Sequence, residues 1–434
     1  MSEELRVSIE KLVYGGDGLA HADGNTVFVP YVLPGEEVRA AAKSKRKKLV
    51  WAQLLEVTSA SAQREGARCP HFQTCGGCHY QHIPAAEQLR LKKEILQETL
   101  SRLGGIQWTG PIQEHAAEPY GYRNRAQWAV RNANPRAIGY FLPESSVIVP
   151  IDECPVLSPL LAKTFGQLQE LARSNRLPER ALEIEAFVDS ADAKLALNIA
   201  FERFPKPPAE LAAIFREALP HLESLLLLDE SKNKFELSGP GYLFHEAGGF
   251  RYRVSHLSFF QVNRFLIDDL LQTVIAGAKG ETALDLYAGV GFFTLPLTRA
   301  FKRVVSVDAN LAATRDLHVN AEGAGVPVIS HNEQAEEFLR KTTERPDLVS
   351  LDPPRSGLGA EAAAKLATLG AAEIVYLSCD PSTLARDLAV LTGSKKSSAV
   401  ESAANRYEIV DMHLFDLFPQ TYHIETLVRL RRAP

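Results

Sequence analysis

The 434-residue chain is poor in cysteine, with only five. Its opening residues, MSEELRVSIE, carry neither the basic start nor the apolar run of a secretory leader. A run of about 20 apolar residues, long enough to span a bilayer, is missing as well. Positive charge is not in excess: 48 Lys and Arg stand against 53 Asp and Glu, a net charge of -5. Nucleic-acid binding is therefore not written into the whole-chain balance and would have to come from local basic faces. Together these absences predict a cytoplasmic protein with no membrane partner. In that reducing compartment clustered cysteines serve as metal ligands or catalysts rather than disulfides. At 45% hydrophobic residues, the chain can bury ordinary cores in two or three domains.

The cysteines fall into two groups. Cys69, Cys75 and Cys78, with Cys154 further on, supply four soft donors, and Pro70 and Gly76-Gly77 suit a tight ligand loop. Either zinc or an iron-sulfur cluster would be satisfied, and spacing does not choose between them. Cys379 stands apart in Ser378-Cys379-Asp380-Pro381, at the end of the apolar run EIVYLS and directly before a helix-start signal. A helix N-terminus favours thiolate, so Cys379 is expected to be a nucleophile rather than a small core residue.

Residues 1–62 alternate short apolar runs with Gly and Pro, the pattern of a small five-stranded barrel of the oligonucleotide-binding type. Within it Lys43, Lys45, Arg46, Lys47 and Lys48 form a basic run, either a phosphate contact or a solvated hairpin tip. Residues 63–256 mix strands and helices, and leucine spacing predicts a helix over 86–103. From 257 to 434 strand and helix alternate, indicating a mostly parallel sheet closed by two antiparallel strands at its edge. Gly289 and Gly291 lie where its first strand turns into a helix, so backbone amides can approach an adenosyl ligand. Asp308, about 20 residues on, ends the next strand, where a carboxylate can take ribose hydroxyls. Thr294 replaces the third glycine of the dinucleotide fingerprint, which favours S-adenosyl-L-methionine over NAD. Asp352-Pro353-Pro354-Arg355 ends the fourth strand with Arg355 where amine methylases carry an aromatic ring. Arg123 and Arg125 are candidate RNA contacts.

These motifs, with Gly15-Gly16-Asp17-Gly18, Leu33-Pro34-Gly35-Glu36, Phe259-Phe260-Gln261-Val262-Asn263, Asp285-Leu286-Tyr287 and Pro419-Gln420-Thr421-x-His423-x-Glu425, closely resemble the RNA 5-methyluridine methyltransferases. The likeness covers almost the whole chain and is strongest to the 23S ribosomal RNA branch. It implies an α/β fold: a Rossmann-like class I methyltransferase domain, an N-terminal TRAM barrel, and a small α+β domain between them. It further implies a 4Fe-4S cluster on Cys69, Cys75, Cys78 and Cys154, and S-adenosyl-L-methionine as methyl donor. Gln261, Tyr287, Gly289, Gly291, Asp308 and Asp352 would line the cofactor and uridine site, with Cys379 as nucleophile and Glu425 as general base. The expected substrate is 23S rRNA, and the expected state a monomer. A transfer-RNA uracil-5-methyltransferase and a non-catalytic RNA chaperone are the alternatives. The chain departs from the family at Phe292, Gln334 and Asp308.

Overall fold

Period-two alternation governs the N-terminal strands of the computed structural model, which describes residues 4–133, 135–394 and 406–433. Strands β1 (Glu4–Ser8), β2 (Lys11–Leu12), β3 (Asp17–Ala22), β4 (Asn25–Pro30), β5 (Glu37–Arg46) and β6 (Leu49–Ser59) form one curled sheet in the order β1-β5-β6-β4-β3-β2. Alternate residues of these strands, among them Val7, Val27, Val29, Val38, Val50 and Ala52, meet in one buried core. Six strands are present where the sequence predicts five, the extra one being the two-residue β2. The basic run continues β5 into the tight turn before β6, and all five of its cations are exposed.

The Leu33-Pro34-Gly35-Glu36 turn owes its shape to Glu36, which is fully buried. Its carboxylate accepts from the Leu33 amide at 2.8 Å and from the Arg64 guanidinium at 2.6 and 2.7 Å. Burial pushes the carboxyl up, but the Arg64 and backbone hydrogen bonds outweigh it and hold the group below its ordinary value.

Helix α1 (Ala85–Thr99) buries Leu89, Ile95 and Leu96. The sequence expects regular helix to 103; instead the last turn, Leu100–Gly104, widens into π geometry and ends at Gly105, whose φ is 68°. The Gln88 side chain, fully buried in α1, donates to Tyr80 O, Ile83 O and Gln420 Oε1 and accepts from the Gln420 amide. That exchange ties the segment after Phe418 to the helix.

Contacts divide the chain into two compact units. One runs to Glu98 and takes back Tyr140–Ile151 and Phe418–Ile424; the other holds Thr99–Gly139, Asp152–Leu417 and the chain from Glu425 onward. The second unit contains two larger sheets. In one, the strands Arg125–Arg131, Ala181–Val188, Leu195–Phe201, Leu222–Asp229 and Lys234–Ser238 are neighbours in that order.

The other sheet is built from β7 (Gln113–His115), β8 (Gly280–Leu286), β9 (Phe301–Val307), β10 (Ile329–His331), β11 (Leu348–Leu351), β12 (Glu373–Ser378), β13 (Tyr407–Phe415) and β14 (Glu425–Arg432). Their order is β10-β9-β8-β11-β12-β14-β13-β7. Strands β8 to β12 are parallel; β14 runs antiparallel between β12 and β13. Every residue of β11 is buried, as a strand covered on both faces requires. The closing strands are antiparallel, as expected, but they are not the edge. That place belongs to β7, which pairs in parallel with β13. Among the described residues, no helix is long and apolar enough to cross a membrane.

Candidate active site

Parallel strands of a doubly wound sheet release their side chains at one edge, the carboxyl edge, and ligands gather there. Tyr287 follows β8, Asp308 follows β9, Asp352 follows β11 and Cys379 follows β12. Glu425 begins β14, which runs the other way and so starts at that edge. Ser378 pairs with Thr426 across β12 and β14, which leaves Cys379 and Glu425 as the neighbouring residues at that edge, and the Glu425 charge acts on the Cys379 thiol. Two residues far apart in the chain are thus brought together by strand pairing.

Cys379 is followed by Asp380, whose carboxylate caps helix α2 (Pro381–Thr392) by accepting from the Ser382 and Thr383 amides at 2.8 and 3.0 Å. The helix start is where the sequence puts it, but the expected electrostatic result does not follow. Burial pushes the Cys379 thiol up to about 12, and the Glu425 and Asp352 carboxylates add to the rise; only Arg355 opposes it. A helix dipole is weak against desolvation beside two carboxylates. Cys379 therefore rests as a thiol, not as the thiolate that the helix start suggests.

Asp352 is pushed up to about 7, chiefly by burial and then by the charge of Asp285, while a 3.4 Å hydrogen bond from Gln261 Nε2 works in the other direction. Asp285, at the end of β8, is pushed up to about 7 by burial, though Thr294 Oγ1 donates to it at 2.5 Å. The Asp308 carboxylate accepts from the Gly289 amide at 2.8 Å and from the Asn310 amide at 2.7 Å, bracing the glycine turn. Gly289 and Gly291 have φ values of 56° and 91°, the left-handed region that favours glycine. Tyr287 also has positive φ, 60°, with its hydroxyl donating to Glu336 at 2.8 Å. A tyrosine held in that conformation at a strand end is a mark of a functional turn.

Several supporting residues had escaped the sequence reading. Asp387, fully buried in α2, accepts from the Leu358 amide and the Tyr376 hydroxyl, each at 2.8 Å. Arg386 donates to Ser356 O and Thr383 to Arg355 O. The helix that begins just after Cys379 therefore also holds the loop carrying Asp352 and Arg355. A correction concerns Tyr122-Arg123-Asn124-Arg125. Arg125 is committed internally, to Glu185 at 2.7 Å and Ser258 O at 2.7 Å, and Asn124 donates from its side-chain amide to Gln261 O and from its backbone N–H to Val262 O. This segment anchors the Gln261 loop, and Arg125 is not presented to RNA. No motif marks that role, because it depends on a partner some 130 residues away.

Cys69, Cys75 and Cys78 belong to the first unit and Cys154 to the second. Burial raises the Cys75 thiol, the Gly77 amide counters it, and nearby Cys69 raises it further. Thiolate donors suit an iron-sulfur cluster. Among the described residues, however, no group of three or more His, Cys, Asp or Glu side chains is arranged to hold a metal ion.

A carboxyl-edge glycine turn, an adjoining acid and a half-buried thiol share one Rossmann-like sheet, the arrangement of an adenosyl-dependent transferase. The family model for tRNA (uracil-5-)-methyltransferases matches residues 85–433 and that for the TRAM domain residues 2–55. The chain belongs to that methyltransferase family and carries a TRAM domain; it is an S-adenosylmethionine-dependent RNA (uracil-5-)-methyltransferase. It is 32% identical to an RNA methyltransferase of Aquifex aeolicus, covering 98% of both chains. It is 33% identical to the 23S rRNA (uracil(1939)-C(5))-methyltransferase RlmD of Pseudomonas entomophila, covering 98% of this chain and 93% of the relative. The fold matches the Pyrococcus abyssi tRNA (uracil-54, C5)-methyltransferase bound to S-adenosyl-L-homocysteine, with TM-score 0.75, 24% identity, and coverage of 98% and 100%.

Proposed function

We propose that the protein methylates C5 of a uridine in 23S rRNA, with Cys379 as nucleophile and Glu425 as general base. The nearness of Cys379 and Glu425 at the ends of β12 and β14, where the Glu425 charge acts on the Cys379 thiol, carries this reading. Uracil C5 is a poor nucleophile. Addition of Cys379 sulfur to C6 turns the ring into an enolate whose C5 attacks the methyl carbon that the bound sulfonium cofactor supplies. The thiol passes its proton to the Asp352 carboxylate as sulfur closes on C6, so that Glu425 remains the base for the later step. Glu425 then takes the C5 proton, and elimination frees Cys379 and the methylated base. The target base leaves its stack to reach this edge. Gln261, Tyr287, Gly289, Gly291 and Asp308 form the cofactor side of the site.

The relatives named for 23S rRNA cover nearly the full chain, TRAM domain included, and they support ribosomal over transfer RNA. Cys69, Cys75, Cys78 and Cys154 are assigned a 4Fe-4S cluster from the resemblance to the family, since their donors and spacing alone suit zinc equally, with no part in methyl transfer. Iron and acid-labile sulfide in anaerobically purified protein check that assignment: four of each per chain support it, and their absence overturns it. Monomeric state and a cytoplasmic location complete the reading.

The test is methyl transfer from labelled S-adenosylmethionine to separated ribosomal and transfer RNA from a strain lacking the gene. Label as 5-methyluridine in 23S RNA, lost in Cys379→Ala, is expected; label confined to transfer RNA overturns the substrate assignment.

A further inference from the structure

The barrel carries an aromatic pair that its core does not use. On β4 and β6, Val27, Val29, Val50 and Ala52 point inward and are buried, so Phe28 and Trp51 between them point outward and are only half-buried. The two are register partners across the strands, and their rings stack at 5.7 Å with an interplanar angle of 26°. Tyr31, by contrast, is used for packing, edge-on to Phe72 at 5.2 Å.

Phe28 and Trp51 form one wall of a cleft of 720 Å³ within the first unit, which Lys43, Gln53, Asp17 and Glu144 also line. Gly15 adds bare backbone: its φ is 110°, and a Cβ there would meet nothing within 4 Å. Half-exposed stacked rings on a barrel strand form a platform for an unstacked base. Lys43, the first cation of the basic run, can neutralise a phosphate. Two carboxylates in the same cleft repel phosphate, and they seek donors. Guanine alone among the four bases offers two adjacent donors, N1–H and N2–H, on its Watson–Crick edge, matching a carboxylate's two oxygens.

We propose that this cleft takes a single unstacked guanine of the substrate RNA. Its ring lies on the Phe28–Trp51 pair, its N1–H and N2–H donate to Asp17 or Glu144, and its phosphate rests against Lys43. This deepens the RNA methyltransferase reading and rests on it. Burial and the nearby Glu144 charge push the Asp17 carboxyl up to about 6, as suits a group short of donors until a ligand arrives. Stacking gives affinity for any base, and the carboxylates give the choice among bases.

The probes are five-nucleotide uridine oligomers with a central guanosine, inosine, adenosine or uridine, titrated into the full-length protein while tryptophan emission is followed. The guanosine oligomer is expected to quench saturably and to bind about tenfold tighter than the inosine oligomer, which lacks the N2 donors. Quenching is expected to vanish in Trp51→Leu, whose folding is checked by circular dichroism. The inosine comparison needs no variant and stands even if that one misfolds. Equal affinity for all four oligomers, or quenching that survives Trp51→Leu, overturns the proposal. Methylation of 23S RNA is run in parallel. Active wild-type enzyme whose KM is unmoved by Trp51→Leu refutes the cleft and leaves the methyltransferase reading standing; wild-type enzyme that methylates no RNA refutes that reading itself.

Discussion

At the scale of single residues, the state of Cys379 has the sharpest consequence. A thiol pushed up to about 12 by burial and two carboxylates is almost wholly protonated at neutral pH. Its alkylation by iodoacetamide, followed by peptide mass spectrometry, should climb about tenfold per pH unit through pH 9. A plateau below pH 8 would mean an activated thiolate and contradict the electrostatics described. Glu425 is expected to act after the methyl group has moved. Glu425→Gln should lower kcat by about 10²–10⁴-fold, the usual range for a general base. It should also build up an RNA–protein adduct stable to denaturant, because the C5 proton has no acceptor. Loss of activity with no adduct would move Glu425 to an earlier step. Both residues were legible in the sequence, since each sits in a compact motif. The protonation of Cys379 was not, because it is set first by burial and then by Glu425 and Asp352, which only the folded sheet brings about.

At the scale of elements, the Leu33–Glu36 turn is locked by the Arg64 ion pair, whose carboxylate partner is fully buried. Leaving Arg64 uncompensated in Glu36→Gln should cost about 3 kcal/mol, read as a lower urea midpoint. Because the folded-state value of Glu36 is depressed, its stabilisation is fully present above the ordinary carboxylate range. It is lost as pH falls from about 4.3 through the lower folded value. The gap between wild type and Glu36→Gln should therefore start to close as pH falls below about 4.3; a gap that stays constant through acid pH would assign the loss to packing instead. The alternating strands and the five parallel runs were readable from period and apolar content. The π turn after α1 and the edge strand β7 were not: β7 is three residues with no pattern of their own, placed by pairing with β13. Arg125 shows the same limit from the other side, a surface-like motif in sequence that the fold turns inward onto Glu185 and Ser258.

At the scale of the whole molecule, sequence carried the class of fold, and its short motifs, those of Cys379 and Glu425 among them, fall at strand ends. What binds RNA is less visible, since an acidic chain hides its contacts in surfaces made from several segments. The barrel cleft combines residues from 15 to 422, a grouping that no sequence window contains. The central claim is that Cys379 forms a bond to the target uracil. The most direct test replaces the substrate uridine with 5-fluorouridine in an RNA that wild-type enzyme methylates. Fluorine at C5 cannot leave as a proton, so the account predicts a stable covalent complex in the presence of S-adenosylmethionine, with the RNA mapped to Cys379 and no complex in Cys379→Ala. Methylation of the natural RNA without any complex on the fluorinated one, or a complex that maps to another residue, would contradict it.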